Sequence, residues 1–342
     1  MQVKTILEEN IILMVSKKTN NYCWKVTDLG CSSGPNTLMV ISNIMNIINK
    51  ITLKLNHVIT PTFQIYLNDL FENDFNTIFK LLPDFYQQIK EENVGECFIN
   101  ATPGNFYGRI FPNNYINFFH SSYCLHWLSQ APKDLAKNAE PFNKGNIYIS
   151  KTSPPSVYEA YFKQFERDFK YFLKSRFEEL ASDGMMVLTF IGRETTDLTS
   201  APGLFGTVLS EMVHEGLVEE EKLDLFDFPA YHPTVEEVRQ LVEAERSFTL
   251  QEIKTFKMAW DANLEKDNVD DVVDSKMRGD FIAKYLRAAF EPLLIAGFGE
   301  NIMDELFSRF AKLIAKLIEI ETLELITNIV LVVTKNSLKM VR

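Results

Sequence analysis

The chain has few cysteines, and they follow no metal-binding pattern. Cys23, Cys31, Cys97 and Cys124 include no Cys-x-x-Cys pair and have no histidine partner at metal-ligand spacing. Cysteines of this kind are typical of free thiols in a reducing compartment. We therefore expect a cytoplasmic protein.

Long apolar runs are also missing. No run of 18 apolar residues occurs, so we expect no segment that crosses a membrane. Glu8 and Glu9 interrupt the first apolar run of the chain. A secretory leader would not carry charges there, so the sequence does not predict one.

An excess of positive charge is missing as well. The chain has 35 Lys and Arg residues against 46 Asp and Glu residues, a formal net charge of −11. Nucleic-acid-binding domains usually carry a basic surface, so we expect no nucleic-acid partner. The 342 residues, of which 46% are hydrophobic and 27 are Phe, suffice for a large domain with a thick aromatic core.

The most informative stretch that is present is residues 26–37, Val-Thr-Asp-Leu-Gly-Cys-Ser-Ser-Gly-Pro-Asn-Thr. A short apolar run ends around Asp28, a turn with Gly30 and Gly34 follows, and an apolar helical pattern begins at Leu38. This order predicts a strand, a tight turn and a helix N-terminus, where the backbone can contact a nucleotide-like ligand.

A second acidic residue occupies a similar position. The strand-like run 63–69 ends at Asp69. Carboxylates at the ends of two successive strands can face a ribose and a charged amino-acid tail, and S-adenosylmethionine carries both. The alternative for Asp28 is a local role, because Asp often caps a turn.

A nicotinamide dehydrogenase is the alternative interpretation of any strand that is followed by a glycine turn and a helix. Its pattern is G-x-G-x-x-G with an acidic residue about 20 positions later. Here only Gly30 and Gly34 are present, and Asp69 lies 39 residues after Gly30. The pattern therefore disfavours a dehydrogenase. Cys31 in this turn is interpreted as a small packing residue rather than a nucleophile.

The alternation of strand-like and helical patterns predicts an α/β fold with a Rossmann-like, doubly wound sheet. We expect a long helix over 156–180 with an aromatic stripe in the core, and a final strand over 327–334 that returns to the sheet edge. The six preceding strand-like runs are 23–29, 63–69, 96–101, 115–121, 145–151 and 185–191.

Residues 193–319 have a more helical pattern. Helical runs are expected at 204–216, 234–245, 281–297 and 301–318, with a strand-like run near 247–257 and an acidic loop over 261–280. We predict that 193–319 form a mainly helical cap over the ligand end of the sheet. Residues 1–192 and 320–342 would then form the α/β domain that binds S-adenosylmethionine.

Several longer motifs occur in a fixed order: Asp28–Thr37, Leu67–Leu70, Asn73–Asn76, Pro103–Arg109, His120–Ser129 and Asn143–Gly145. This series resembles the plant SABATH family of S-adenosylmethionine-dependent methyltransferases, which methylate salicylate, benzoate, jasmonate and xanthine alkaloids. The resemblance extends from about residue 4 to the C-terminus. It implies a methyltransferase sheet and a homodimer.

The resemblance implies two sets of ligand-binding residues. Asp69 would bond the ribose hydroxyls, and Leu70 would lie beside the adenine. The full set implied for S-adenosylmethionine is Asp28, Cys31, Asn36, Asp69, Leu70, Asn105 and Phe106, with Asn105 where the family usually has Ser. The set implied for the acceptor is Tyr123, His126 and Trp127, in which the indole N–H bonds a carboxylate. For His126 the alternative is a core histidine.

Some relatives bind a magnesium ion at positions that match Asn143, Asp224, Phe226 and Asp227 of this chain. Oxygen ligands of this kind suit Mg²⁺. The alternative is a solvated surface cluster. The family usually has Asn at the position of Asp227.

The chain departs from the family pattern at two edges of the acceptor site. Relatives begin with further turns of chain that carry a Ser-Tyr and a Gln, and Gln2 stands near the position of that Gln. The segment 195–205 is shorter than in relatives, and it supplies Pro202 and Phe205 but no Trp. We therefore expect a lid that is incomplete at these edges.

Three functions are consistent with these patterns. The first is transfer of a methyl group to the carboxylate of a small aromatic or lipid-derived acid, which gives a methyl ester. A carboxylate is already ionised at neutral pH, so orientation suffices and no catalytic base is required. The second is N-methylation of a xanthine alkaloid, in which His126 would help to remove a proton. The third is a catalytically silent paralogue that still binds ligand.

Overall fold

The computed structural model describes residues 2–17, 23–55, 60–133, 135–137, 140–194, 200–264 and 274–336. The strands in these ranges are β1 Cys23–Leu29, β2 Thr62–Asp69, β3 Cys97–Pro103, β4 Ile116–Ser122, β5 Ala136–Lys137, β6 Glu140–Pro141, β7 Leu180–Ile191, β8 Phe248–Met258 and β9 Ile326–Lys335. The helices are α1 Gln2–Lys17, α2 Asn36–Lys54, α3 Phe75–Glu91, α4 Pro155–Glu179, α5 Ala201–His214, α6 Glu220–Leu225, α7 Val235–Glu245, α8 Ser275–Phe298 and α9 Met303–Glu319, with a 3-10 turn at Glu300–Ile302.

Seven of the strands form one sheet in the order β3-β2-β1-β4-β7-β9-β8. The first five are parallel, and β9 is antiparallel to both of its neighbours. The α/β prediction is therefore confirmed. The order of the strands reverses between β1 and β4, and in open α/β sheets ligands bind outside the carboxyl ends of the strands at such a point.

Both faces of the sheet are covered. Along β7, Met185 and Val187 belong to one apolar core, whereas Met186 and Leu188 belong to the other. Successive side chains of a strand point to opposite faces, so each core occupies one face. This explains why 185–191 reads as a continuous apolar run, as buried parallel strands do.

The aromatic stripe predicted for α4 lies in the core. Phe165, Phe169 and Phe172 are buried, and the rings of Phe165 and Phe169 stack with centroids 5.4 Å apart. Three buried phenylalanine side chains contribute several kcal/mol by removal of apolar area from water. The helix is therefore held by this face, as the three- and four-residue spacing predicts.

Two predictions about strands are wrong. Residues 145–151 form turns and loop rather than a strand, although Ile147 and Ile149 are buried. Gly145 has a φ of +74°, and the N–H of Ser150 donates to the hydroxyl of Ser153 rather than to a neighbouring strand. The last strand, β9, lies inside the sheet rather than at its edge, because β8 pairs with its other side.

The segment assigned to the cap contributes one strand of the sheet. β8 lies within 193–319 and forms an edge of the sheet beside β9. Phe205 of α5 and Leu188 of β7 belong to the same apolar core. The division into two domains at residue 193 stays a prediction.

The acidic loop predicted for 261–280 is shorter than expected. α8 begins at Ser275, because the side chain of Asp274 accepts the N–H of Met277 and caps the helix. Residues 265–273 lie outside the described residues. Within the described ranges, none of the helices is long and apolar enough to cross a membrane.

Candidate active site

The turn after β1 joins the ends of two strands. The N–H groups of Gly30 and Cys31 both donate to the carbonyl of Asn68 on β2, at 2.9 Å each. Gly30 has a φ of +75°, which glycine adopts without the cost that a Cβ atom brings. The turn therefore brings the carboxyl ends of β1 and β2 together.

Asp69 is fixed at the end of β2. Its Oδ2 accepts the N–H of Ser32 at 2.7 Å, and its Oδ1 accepts the N–H of Leu70 at 2.8 Å. The side chain is half-buried, and each carboxylate oxygen can accept a further hydrogen bond. Asp69 can thus accept from ligand hydroxyls while its orientation is held by the backbone. Leu70 is exposed beside it.

Asp28 has a different environment. Its Oδ2 accepts the hydroxyl of Thr37 at 2.6 Å, and its Oδ1 lies 2.7 Å from Nδ1 of His120. The carboxylate is buried and both oxygens have protein partners. Sequence reasoning missed His120, which faces Asp28 because the two residues are paired in register between β1 and β4.

Cys31 lies in the turn after β1, and Asn36 follows that turn. Burial, followed by the charges of Asp28 and Asp69, raises the pKa of the Cys31 thiol, so the thiol is protonated at neutral pH. A protonated, buried thiol is a poor nucleophile, which agrees with the packing interpretation. Asn36 is exposed and is the first residue of α2.

A loop after β3 carries Asn105 and Phe106. Oδ1 of Asn105 accepts the N–H of Tyr107 at 2.9 Å, which fixes the turn. Phe106 packs edge-on against Phe172 of α4, with ring centroids 6.0 Å apart. The hydroxyl of Tyr107 donates to the carbonyl of Trp127, so this loop is joined directly to the segment after β4.

The segment after β4 lines a cavity of about 490 Å³ at the carboxyl end of the sheet. Tyr123, His126 and Trp127 all line it, so the structure brings the predicted acceptor residues together. Elements from the second half of the chain supply further aromatic side chains: Phe228, Trp260, Phe281, Tyr285 and Phe290.

Trp127 is held between aromatic rings of the second half of the chain. Its ring centroid lies 5.5 Å from that of Phe228 and 5.5 Å from that of Phe290. The indole nitrogen of Trp127 donates no hydrogen bond to any residue in the described ranges. The ring is therefore oriented by packing, and its N–H keeps its capacity to donate a hydrogen bond.

His126 is buried beside this tryptophan. Burial, and then the neighbouring His232, lower the pKa of His126 well below its usual range, so the imidazole is neutral at pH 7. Its Nδ1 atom is buried and has no hydrogen-bond partner among the residues that the structure describes. His126 thus has an unused polar atom, which a satisfied core histidine would not have.

Several further polar residues of the cavity were missed, among them Tyr148, Arg193 and His232. Arg193 pairs with Glu237 at 3.2 Å and packs over the ring of Tyr158. His232 comes close because the N–H of Tyr231 donates to the carbonyl of His126 at 2.7 Å. No local motif marks these positions. Only the pairing of distant segments brings them to the cavity.

Two residues of the segment 195–205, which is shorter than in relatives, lie in different surroundings. Pro202 lines the cavity, whereas Phe205 is buried and stacks on Phe310 with centroids 3.8 Å apart. Residues 195–199 lie outside the described residues, and nothing tests whether the lid is incomplete there.

Three of the four candidate metal ligands lie within residues 224–227, whereas Asn143 comes from a distant part of the chain, and the side chains of Asn143 and Asp224 are already engaged. Asn143 donates to the carbonyl of Tyr148 and accepts from Ser153, and Asp224 accepts the N–H of Gly145 at 2.7 Å. Burial raises the pKa of Asp227 to about 7. Phe226 packs on Phe298.

The residues described include no group of three or more His, Cys, Asp or Glu side chains that could hold a metal ion. Of the four candidate ligands, Asp227 has a carboxylate that accepts no hydrogen bond from the residues described. The magnesium site therefore stays a prediction.

The sheet order, the glycine turn after β1 and the acidic end of β2 define a Rossmann-like nucleotide-binding enzyme with a second, aromatic ligand cavity. Residues 1–336 match the family model of S-adenosylmethionine-dependent carboxyl methyltransferases. The chain belongs to this family, the SABATH methyltransferases. S-adenosylmethionine is accordingly its cofactor, and the chain is an S-adenosylmethionine-dependent methyltransferase.

Similar proteins include a probable caffeine synthase of Coffea canephora, 44% identical over 330 residues that cover 92% of this chain and 86% of the relative. A probable jasmonic acid carboxyl methyltransferase of Theobroma cacao is 46% identical over 300 residues, which cover 84% of this chain and 80% of the relative. The solved structure of a loganic acid methyltransferase with SAH matches with a TM-score of 0.82 and 32% identity, and covers 99% of this chain and 95% of that one.

Proposed function

We propose that this methyltransferase transfers the methyl group to the carboxylate of a small aromatic or lipid-derived acid and forms a methyl ester. The observation that carries the proposal is the indole N–H of Trp127, which has no partner among the described residues in a cavity lined by aromatic rings. In this proposal Trp127 holds one carboxylate oxygen, and Tyr123 and His126 shape the space beside it.

The low pKa values of the two histidines in the cavity favour an acceptor that is already ionised. Burial lowers the pKa of His232 to about 4 and that of His126 well below its usual range. Imidazoles with such low pKa values are weak bases at neutral pH. A carboxylic acid with an ordinary pKa near 4 has lost its proton and needs no base. The residues then act by orienting the acceptor and excluding water.

The cofactor would be held at the turn after β1. When bound, S-adenosylmethionine supplies an electrophilic methyl group. We propose that Asp69 accepts from the ribose hydroxyls, since its oxygens keep unused acceptor capacity. Leu70 and Phe106 would flank the adenine, with Asn105 at its edge, and Asp28, Cys31 and Asn36 would shape the side of the amino-acid tail.

The test is an acceptor panel with labelled S-adenosylmethionine: benzoate, salicylate, jasmonate and methylxanthines. We expect methyl esters from at least one acid. Trp127→Phe keeps an aromatic ring but removes the N–H, so kcat/KM for that acid should fall about 10- to 100-fold, the value of a hydrogen bond to a charged group. The affinity for SAH should not change.

Trp260→Phe is the matched control. Trp260 lines the same cavity, but its indole N–H already donates to the carbonyl of Glu324 at 2.7 Å. When the acid and its neutral amide are each tested as a competitor, Trp260→Phe should change the affinity for both to the same extent. Equal losses of acid turnover and SAH binding in Trp127→Phe would refute the role of Trp127.

N-methylation of a xanthine is the second candidate. The unpartnered Nδ1 of His126 can bond a purine N–H or carbonyl, and one relative is a probable caffeine synthase. Product from methylxanthines and none from the acids would establish this alternative. SAH binding without product from any acceptor would instead indicate a catalytically silent protein.

A further inference from the structure

The carboxylate of Asp28 joins three elements beside the turn after β1. Its Oδ1 lies 2.7 Å from Nδ1 of His120 on β4, and its Oδ2 accepts the hydroxyl of Thr37 at 2.6 Å. Thr37 is the second residue of α2, so one side chain of β1 is bonded both to β4 and to the first turn of α2. We refer to Asp28, Thr37 and His120 as the strand-end cluster.

The strand-end cluster is closed to solvent, since Asp28, Thr37 and His120 are only 5%, 3% and 4% exposed. Within the described ranges no Lys or Arg side chain pairs with Asp28. The buried carboxylate is therefore stabilised by its two hydrogen bonds and by the N-terminal end of α2. A carboxylate oxygen only accepts, so Nδ1 of His120 carries the hydrogen and donates it.

The cluster closes the turn that leads from β1 to α2. Asp28 precedes this turn and Thr37 follows it, so the bond between them links its two ends. Pro35, at the N-cap of α2, provides no side-chain cap for the free N–H groups of the first helical turn. The bond from His120 then anchors the closed turn to β4, which is the neighbouring strand.

We propose that His120 is a positioning residue for cofactor binding. By donating to Asp28 it fixes the carboxylate and, through Thr37, the shape of the turn that would receive the amino-acid tail of S-adenosylmethionine. Supporting hydrogen bonds determine how precisely the residues of a binding site are held. Without His120 a buried acceptor of Asp28 loses its donor, so the carboxylate and the turn have to move. The inference rests on the place proposed for the cofactor and is independent of the acceptor.

The test is the affinity for SAH by calorimetry, with the free energy of unfolding measured by urea denaturation on the same variants. His120→Leu removes both ring nitrogens and keeps an apolar side chain. SAH affinity should fall about 10-fold, the lower end of the value of a hydrogen bond to a charged group, because His120 acts through Asp28. In turnover the KM for S-adenosylmethionine should rise, whereas kcat at saturation should stay within about twofold of the wild-type value.

Asn117→Leu is the matched control. Oδ1 of Asn117 accepts the backbone N–H of Lys25 at 2.9 Å, so this residue also bonds β4 to β1, but at the amino ends of the two strands. The control should lose stability and keep SAH affinity within about twofold of the wild-type value. If Asn117→Leu and His120→Leu weakened SAH binding equally, His120 would serve only the stability of the sheet and the proposal would be wrong.

Two further variants separate positioning from a general structural role. His120→Asn places an amide nitrogen where Nδ1 was, since both atoms are bonded to Cγ, and should restore SAH affinity to within about threefold of the wild-type value. In the background of Asp28→Ala, His120→Leu should change SAH affinity by less than about twofold, because the residue through which it acts is gone. Additive losses, or no recovery in His120→Asn, would overturn the proposal.

Thr37→Val removes the other donor to Asp28 with little change of shape and is used if His120→Leu does not fold. SAH affinity should again fall about 10-fold. Unchanged affinity in whichever of these cluster variants folds overturns the positioning role. Asp69→Asn then identifies the cause. Weakened SAH binding in Asp69→Asn leaves the place proposed for the cofactor intact, whereas normal binding there as well shows that this place is wrong.

Discussion

Two residues with positive φ stand at the carboxyl ends of adjacent strands. Gly30 follows β1 with a φ of +75°, and Tyr123 follows β4 with a φ of +59°. The left-handed region costs a bulky residue about 1–2 kcal/mol. The N–H of Tyr123 donates to the carbonyl of Thr189 at 2.7 Å, which holds this conformation. The two bends turn the chain away from the sheet at the places where the ligand sites begin.

Replacement of Gly30 tests the importance of the first bend. In Gly30→Ala the new Cβ would collide with Sγ of Cys124, and the positive φ adds about 1–2 kcal/mol of strain. We expect the free energy of unfolding to fall by about 2 kcal/mol or more, as measured by urea denaturation. Gly34→Ala is the control, since nothing lies within 4 Å of a Cβ at that position. Equal stability of the two variants would contradict this assignment.

The histidine at position 232 makes stability depend on pH. Its folded-state pKa is about 4, below the ordinary value of 6.5, so the unfolded chain binds more protons between these values. Stability is therefore lost as pH falls from about 6.5 towards 4, by about 3 kcal/mol for this residue. In His232→Phe this part of the decline should disappear. Urea denaturation from pH 4.5 to 7 measures the difference, and parallel pH curves would contradict it.

At the scale of elements, α4 positions the loop after β3 through a buried ion pair. Arg176 and Glu179 are both fully buried and pair at 2.7 Å. The guanidinium of Arg176 donates to the carbonyls of Phe106 and Gly108 at 2.6 and 2.8 Å. Glu179 accepts the N–H of Phe111 at 2.9 Å. The helix therefore fixes the backbone of the loop that carries Asn105 and Phe106.

Loss of the arginine should leave a buried charge without its partner. Arg176→Met is expected to reduce the free energy of unfolding by about 3–5 kcal/mol. SAH affinity should fall as well, because two carbonyls of the loop proposed to flank the adenine lose their donor. Lys163→Met on the same helix removes an exposed pair with Glu159 and should change stability by less than about 1 kcal/mol. A small effect of Arg176→Met would mean that the loop is held by other contacts.

Elements with a long, regular pattern were predictable from the sequence, because one face or both faces of each enter the core. α4 and β7 are examples. The segment 145–151 was not, since its two buried isoleucines pack in a loop whose backbone is bonded by hydroxyl side chains rather than by a strand. The interior position of β9 depends on β8, whose residues pair with it from about 70 to 90 positions earlier in the chain.

The same distinction applies to the site. Tyr123, His126 and Trp127 come from one continuous motif, and the structure places them in one cavity. The remaining polar residues, His120, Tyr148, Arg193 and His232, depend on strand register or on contacts between distant segments. Side-chain period and local motifs carry no information about such contacts, so these residues could not be assigned from the sequence.

At the scale of the whole molecule, the two proposed ligand sites share one end of the sheet. Asp69 lies at the end of β2, and the cavity proposed for the acceptor begins after β4. The loop with Tyr107 connects them through its bond to the carbonyl of Trp127. Occupation of the cofactor site should therefore stabilise the molecule as a unit.

SAH should raise the stability of the folded protein by an amount that grows with the logarithm of its concentration divided by its dissociation constant. At 100 times its dissociation constant it should add about 2.7 kcal/mol, which thermal denaturation detects as a shift of several degrees in Tm. Asp69→Asn removes a charged acceptor, so SAH affinity should fall about 10- to 100-fold, and at the same SAH concentration the stabilisation should drop to about 0.4–1.4 kcal/mol. Glu72→Gln makes the same charge change at an exposed position three residues away and should retain the shift. If SAH stabilised Asp69→Asn as strongly as the wild-type protein at the same concentration, the ribose contact assigned to Asp69 would be wrong. The cofactor would then have to be held mainly by the glycine turn and by the loop that Arg176 of α4 fixes.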